Sequence, residues 1–268
     1  MNREQKEGLI RELYEEYPYP SRIFASAKKL THYSDWLAAI IFKKPSFWKG
    51  KKVLELGCGT GELSCSLALN GATVDAIDFS RTSIAKAHDL AKRFCQSNKP
   101  SFEVKNILLK KIPQIDSEKY DIVLALGSLH HTLDARHGFS IAAKHAKPDG
   151  VVIIGLYNKY SRFRHRLKRV VLRIFCGNDI KKRILLGKKL FGGPNNPAWL
   201  ADKYGQVHES YHSISEVLNW FNDEEISFIA SDPPFKTPLL DEIFWLIFEK
   251  NAFFVMSGRK KSSPKIIS

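Results

Sequence analysis

The feature that most constrains the fold is an alternation of short apolar runs with helix-length segments, starting at Val53 and ending at Leu156. Strands are expected at 53–56, 73–77, 102–105, 121–126 and 151–156, with helices between them at 61–69, 81–97 and 135–147. Strand–helix alternation of this kind builds a parallel sheet covered on both faces. Lys147-Pro148-Asp149-Gly150 reads as a turn just before the last of these strands. The rhythm breaks after Leu156 and resumes at Ser213-Ile214-Ser215-Glu216, which has the spacing of a capping box. Strands at 226–230 and 253–257 then flank a helix at 241–249. Upstream, Leu9, Ile10, Leu13 and Tyr14 have helical spacing. Tyr17-Pro18-Tyr19-Pro20 ends that helix, because each proline disfavours the helical region for the residue before it. A short helix is expected near Asp35–Phe42. The chain thus divides into an N-terminal helical segment (1–49) and a main domain (50–268) interrupted by an insertion at 157–212.

Hydrophobic residues make up 44 % of the chain, enough for a sizeable core and against global disorder. The charged, non-apolar start argues against a signal peptide, and no apolar stretch is long enough for a membrane span. The four cysteines form no CxxC pair and no Cys/His metal spacing, so no metal is expected and a reducing, cytoplasmic location fits. The net charge of +14 is strongly localised. Between Lys159 and Lys189, twelve Lys/Arg stand against one acid, Asp179, and Arg259–Ser268 adds four more with none. The rest of the chain is close to neutral. Such segments suit an anionic partner: an acidic small molecule, RNA, or an acidic membrane surface.

The first strand leads into Gly57-Cys58-Gly59-Thr60-Gly61 and then a helix, which places backbone N–H groups at a helix N-terminus. The loop is one residue too tight for the G-x-G-x-x-G dinucleotide fingerprint, because position 62 is Glu62, and no P-loop lysine follows. Glu55, just ahead of the glycines, would repel a pyrophosphate but suits an ammonium or sulfonium cation. Asp78, at the tip of the second strand, is placed to accept both hydroxyls of a ribose; Asp75, mid-strand, is placed less well.

VLELGCGTG (53–61), IDFS (77–80), YDIVLALGSLHHT (120–132) and AKPDGVVIIG (146–155) together resemble the class I S-adenosylmethionine-dependent methyltransferases. The resemblance implies a Rossmann-like, seven-stranded, mostly parallel α/β sheet with helices on both faces and strand 253–257 antiparallel near one edge. It implies S-adenosylmethionine as cofactor and methyl transfer to an O, N or C nucleophile. Glu55, Gly57, Cys58 and Gly59 would line its methionine part, with Gly61 completing the cofactor-binding loop; Asp78 would hold its ribose and Phe79 would pack on its adenine. Asn106 would stand near the adenine amino group, and Leu126 and Gly127 would approach through backbone. Cys58 is expected to be there only because it is small.

Methyl transfer needs mainly positioning and, for some acceptors, a base. His130 and His131 close the fourth strand, and a histidine there is the candidate base, His131 first; packing or substrate contact is the alternative. Ser231-Asp232-Pro233-Pro234-Phe235 mimics an N-methyltransferase motif but follows the wrong strand, so a proline turn is expected. In the insertion, Phe163, Leu167, Val170, Val171 and Ile174 form an apolar stripe among arginines. That stripe is expected to fold back as a helical cap over the cleft, with Trp199, Tyr204, Tyr211 and His212 helping to wall a pocket. A small-molecule acceptor, of anionic character, is the first reading. An RNA (tRNA) methyltransferase and a non-catalytic subunit of the same fold are the alternatives.

Overall fold

The central strands are runs of aliphatic residues buried on both faces, which is what a sheet covered on both sides demands. In the computed structural model, which describes residues 2–109 and 119–262, seven strands form one sheet: β1 (Lys52–Leu56), β2 (Thr73–Asp78), β3 (Ser101–Val104), β4 (Tyr120–Leu126), β5 (Ala146–Tyr157), β6 (Ile226–Asp232) and β7 (Phe253–Lys260). Their order is β3-β2-β1-β4-β5-β7-β6. The first five are parallel, and β7 lies antiparallel between β5 and β6, as expected. Residues 263–268, and with them Lys265 of the basic tail, lie outside the described residues.

The helices are α1 (Arg3–Glu16), α2 (Ala27–Thr31), α3 (Asp35–Ile40), α4 (Glu62–Leu69), α5 (Arg81–Phe94), α6 (Ala135–His145), α7 (Phe163–Cys176), α8 (Ile180–Phe191), α9 (Pro197–Leu200), α10 (Ile214–Asp223) and α11 (Pro238–Ile247). Leu54, Leu56, Val123, Ala125, Val152 and Ile154 point to one side of the sheet and pack with Phe139, Trp220 and Phe221 of α6 and α10. Val53, Ile122, Leu124, Val151 and Ile153 point to the other, against α3, α4 and α5. Glu55 shares that second side with Val53, which aims its carboxyl at α4.

The Lys147–Gly150 segment is not a turn ahead of the strand. It is an excursion within β5: the register jumps from Tyr120↔Ala146 to Ile122↔Val151. Asp149 takes a positive φ of 62° there, a conformation an aspartate tolerates better than most residues.

The insertion leaves and rejoins the sheet at one place. Asn158 bridges to His212, and the fully buried Asn158 side chain accepts from the Tyr160 and Ser161 N–H groups while donating to Glu242 at 2.6 Å. Between these points α7, α8 and α9 pack with α1 in a separate small core of Leu13, Leu172, Ile184, Leu200 and Tyr204. α1 is tied to the main domain by Glu15, whose carboxylate accepts from the Arg81 and Thr82 N–H groups and so caps α5.

The apolar stripe of α7 does not fold back. Phe163, Leu167, Val170 and Ile174 are between 48 % and 73 % exposed. The inward face instead carries Leu172 and, unexpectedly, Arg169 and His165. The buried guanidiniums of Arg169 and Arg183 donate to the carbonyls of Gly205 and Gln206, and Arg169 also pairs with Glu209 at 2.5 Å. Glu209 is fully buried in its side chain; although burial opposes it, Arg169 and then Arg162 hold its carboxyl below the usual range. Cations paired this way can occupy the inner face of a helix that the hydrophobic pattern assigns to leucines.

Candidate active site

The carboxyl ends of β1, β2 and β4 open into a cavity of about 520 Å3, within the roughly 300–1,000 Å3 usual for small-molecule sites. One half is acidic. Glu55 is 5 % exposed and receives a short hydrogen bond from Ser64 Oγ. Burial, with added repulsion from Glu62 and Asp78, pushes its carboxyl up to about 8, and Ser64 offsets this only in part. Burial raises Asp78 and Glu62 as well. Asp78 Oδ2 accepts from the Gly59 N–H at 2.8 Å and Oδ1 from the Ser80 N–H at 2.9 Å, which fixes its plane while leaving each oxygen a further lone pair.

Gly57, Cys58, Gly59, Asp78, Phe79, Asn106 and Leu126 all line the cavity with Glu55; Gly61 does not. Each glycine has a positive φ, and each is also required by a neighbour. A Cβ at Gly57 would strike Ser128, one at Gly59 the carbonyl oxygen of Tyr19, and one at Gly61 Ala87. Gly61 thus serves the packing of α4 against α5 and β3 rather than the cavity. Asn106 Oδ1 is occupied by the Leu108 N–H, leaving its amide N–H groups free of that bond. Arg11 lies 4.1 Å over the Phe79 ring, covering one face of it. Burial raises the Cys58 thiol, in keeping with a merely small residue.

The Tyr17–Pro20 segment does more than end α1. It runs along the glycine loop: Tyr19 O accepts from the Thr60 N–H at 3.2 Å, and the Ser21 and Arg22 N–H groups reach Thr60 Oγ1 and Glu62 Oε1. Tyr14, Tyr19 and Pro20 form part of the wall.

The other half holds the histidines. His130 is fully buried, tilted on Tyr157 with ring centroids 3.7 Å apart, and neither of its ring nitrogens has a hydrogen-bond partner among the described residues. Burial and the neighbouring His131 push its pKa well below the ordinary value. His131 faces the cavity with Nε2 at 3.5 Å from Asp202 Oδ1 and Nδ1 at 3.4 Å from His208 O. Burial lowers its pKa, and Asp202 and Glu209 oppose that. Asp202 is itself held, accepting from Tyr157 Oη at 3.2 Å and Gln206 Nε2 at 3.0 Å; the same Gln206 amide donates to Tyr14 Oη. Arg162, stacked 3.4 Å over Tyr157, and Lys203 complete this wall.

Sequence reasoning missed Tyr14, Asp202 and Arg162 as cavity residues, since no local motif marks them. Of the four residues expected to wall the pocket, Trp199 does so. Tyr204 is buried in the insertion's own core, Tyr211 bonds Arg169 and Glu209, and His212 bonds Glu216. The Asp232–Phe235 segment follows β6 as a turn and does not line the cavity. Among the described residues no cluster of His, Cys, Asp or Glu could hold a metal, and no helix is long and apolar enough to cross a membrane.

A family model described as "Methyltransferase domain" matches residues 54–152. The ubiquinone biosynthesis O-methyltransferase of Actinobacillus pleuropneumoniae serotype 5b is 28 % identical over 68 % of this chain and 78 % of its own. That of Pseudomonas savastanoi pv. phaseolicola is 34 % identical over 41 % of this chain and 46 % of its own length. The magnesium protoporphyrin IX methyltransferase of Synechocystis PCC 6803, solved with bound SAH (S-adenosylhomocysteine), is 17 % identical. It superposes with a TM-score of 0.59 over 96 % of this chain and all of its own. Ordered motifs, strand order and these likenesses agree: the chain carries a methyltransferase domain of the class I S-adenosylmethionine-dependent kind.

Proposed function

We propose that the enzyme methylates an oxygen of a small molecule carrying an acidic or phenolic group, with His131 as the base. The cofactor supplies an electrophilic methyl group. The acidic half of the cavity fits it, because three buried carboxyls raised by desolvation would be relieved by a ligand bearing ammonium and sulfonium charges. Glu55 would take the methionine end, Gly57 to Gly59 its backbone, Asp78 the ribose, and Phe79 and Asn106 the adenine.

The observation that carries the acceptor reading is the His131–Asp202 pair. In the tautomer that donates Nδ1–H to His208 O, the Nε2 lone pair is the one that would take a hydroxyl proton as the methyl is accepted. The imidazolium so formed has the Asp202 carboxylate beside it, held by Tyr157 and Gln206. Arg162 and Lys203 would orient an acceptor's negative charge in the same half. The relatives named for O-methylation support oxygen over nitrogen or carbon. The division at residues 50 and 157–212 is part of the same reading: a methyltransferase body whose acceptor wall comes from the N-terminal helices and the insertion. RNA is the weaker substrate, because the centre of the exposed α7 face is aliphatic where a phosphate backbone would require cations.

Tritiated-methyl transfer to a panel of catechols, phenolic acids and aliphatic carboxylates, with bulk RNA alongside, tests this. Label in a hydroxylated aromatic acid is expected. Label only in RNA, or turnover unchanged in His131→Ala, refutes it.

A further inference from the structure

We infer that the outer faces of α7 and α11 form a docking surface for an anionic lipid bilayer. Successive helix residues advance by about 100°. Phe163, Leu167, Val170 and Ile174 therefore fall within an arc of about 60° centred roughly opposite the fully buried Leu172. The stripe is the outermost line of the helix, not an edge of its packed face. Arg164 flanks it on one side and Arg166 and Arg173 on the other, all three exposed. A helix with an aliphatic centre and arginine borders lies in the plane of a membrane interface, its stripe among acyl chains and its guanidiniums at the phosphates.

α11 extends the surface. Leu240, Ile243, Phe244, Ile247 and Phe248 are between 40 % and 64 % exposed at helical spacing, and an Arg164–Glu249 ion pair ties the end of this segment to the start of α7. Exposed aliphatic and aromatic side chains on this scale mark a contact site. The surface also begins at the cavity's rim. Arg162, next to Phe163, and Phe253, five residues after Phe248, both line the cavity. Docking on this face would turn the mouth toward the bilayer, so that an amphiphilic acceptor could enter without crossing water.

Charge selects the occupant. α7 contains no acidic residue; of the two on α11, Glu242 is buried and Asp241 is taken up by the Lys236 and Thr237 N–H groups at the helix start. A symmetric contact with a second copy would oppose two strongly cationic segments, and an RNA site would set cations and aromatics at the centre of the face, where this one has Leu167, Val170 and Ile174. An anionic lipid surface satisfies both the stripe and its borders.

The experiment is co-sedimentation of the full-length protein with vesicles of phosphatidylcholine alone or mixed with phosphatidylglycerol. It is run at low and high salt beside a Leu167→Glu/Ile174→Glu variant. Both positions are exposed, so the variant should fold, and its thermal midpoint and cofactor affinity are measured to confirm it. The expected result is binding at least ~10-fold stronger to the anionic vesicles, weakened by salt, and reduced ~10-fold or more in the variant. Equal binding to both vesicle types, no binding, or binding unaffected in the folded variant would each overturn the proposal. So would a wild type that elutes as a dimer, with a monomeric variant and no lipid dependence, which would make the face a self-contact.

Discussion

The two halves of the cavity differ in how they are built. The acidic half comes from Glu55 to Asp78 with Asn106 and Leu126, all at strand ends whose positions the sheet dictates. The basic half is gathered from Tyr14 on α1, His131 after β4, Tyr157 and Arg162 where the insertion leaves, and Asp202 where it returns. The first is rigid because the strands it ends are rigid. The second depends on packing between α1 and the insertion, whose core of Leu13, Leu172 and Tyr204 is separate from the main one. A scaffold of this kind keeps one reagent constant and lets the acceptor wall vary, which is how one fold serves many substrates.

If the halves are functionally separate, changes in one should leave the other's readout intact. The largest effect should come from Gly59→Val. Its Cβ would meet the Tyr19 carbonyl, and φ is +53°. Strain and overpacking of about 1–3 kcal/mol each predict a ~100-fold or greater loss of cofactor affinity by calorimetry. Arg162→Ala should leave that affinity unchanged; a parallel loss would end the separation. Next, His131→Ala should lower kcat by roughly 10²–10⁴-fold with cofactor binding intact. His130→Ala should act mainly on stability, because the His130 ring is fully buried against Tyr157.

A smaller effect sharpens the acceptor half. Asp202 opposes the lowering of the His131 pKa. Asp202→Asn should therefore move the acid limb of the kcat profile to lower pH. A one-unit move corresponds to about 1.4 kcal/mol. A profile that stays in place would make Asp202 structural only.

The same contrast explains what was legible in the sequence. The strand, glycine loop and Asp78 stand within thirty residues of one another, so local chemistry was enough to group them, and they do share one cavity. Their neighbours were not visible: the glycines answer to Ser128, Tyr19 and Ala87 as much as to a ligand. Tyr17–Pro20 was readable as a helix stop, but not as the strand of backbone that floors the glycine loop. The α7 pattern showed two faces without showing which was inward. Hydrophobicity assigned the stripe to the core, and only Glu209 and the carbonyls of Gly205 and Gln206, some forty residues away, make the arginine face the buried one.

The proton on Glu55 has a consequence measurable as heat. A carboxyl held up to about 8 in the free protein, against an ordinary 4.5, is largely protonated at neutral pH. Its contribution to stability is fully present below the unfolded value and is lost as pH rises through about 8. A sulfonium-bearing ligand favours the carboxylate, so binding at pH 7 should expel close to one proton into the medium. The apparent enthalpy of cofactor binding should then scale with the ionisation enthalpy of the buffer, with a slope near one at pH 7 that vanishes above pH 9, and Glu55→Gln should flatten the line at every pH.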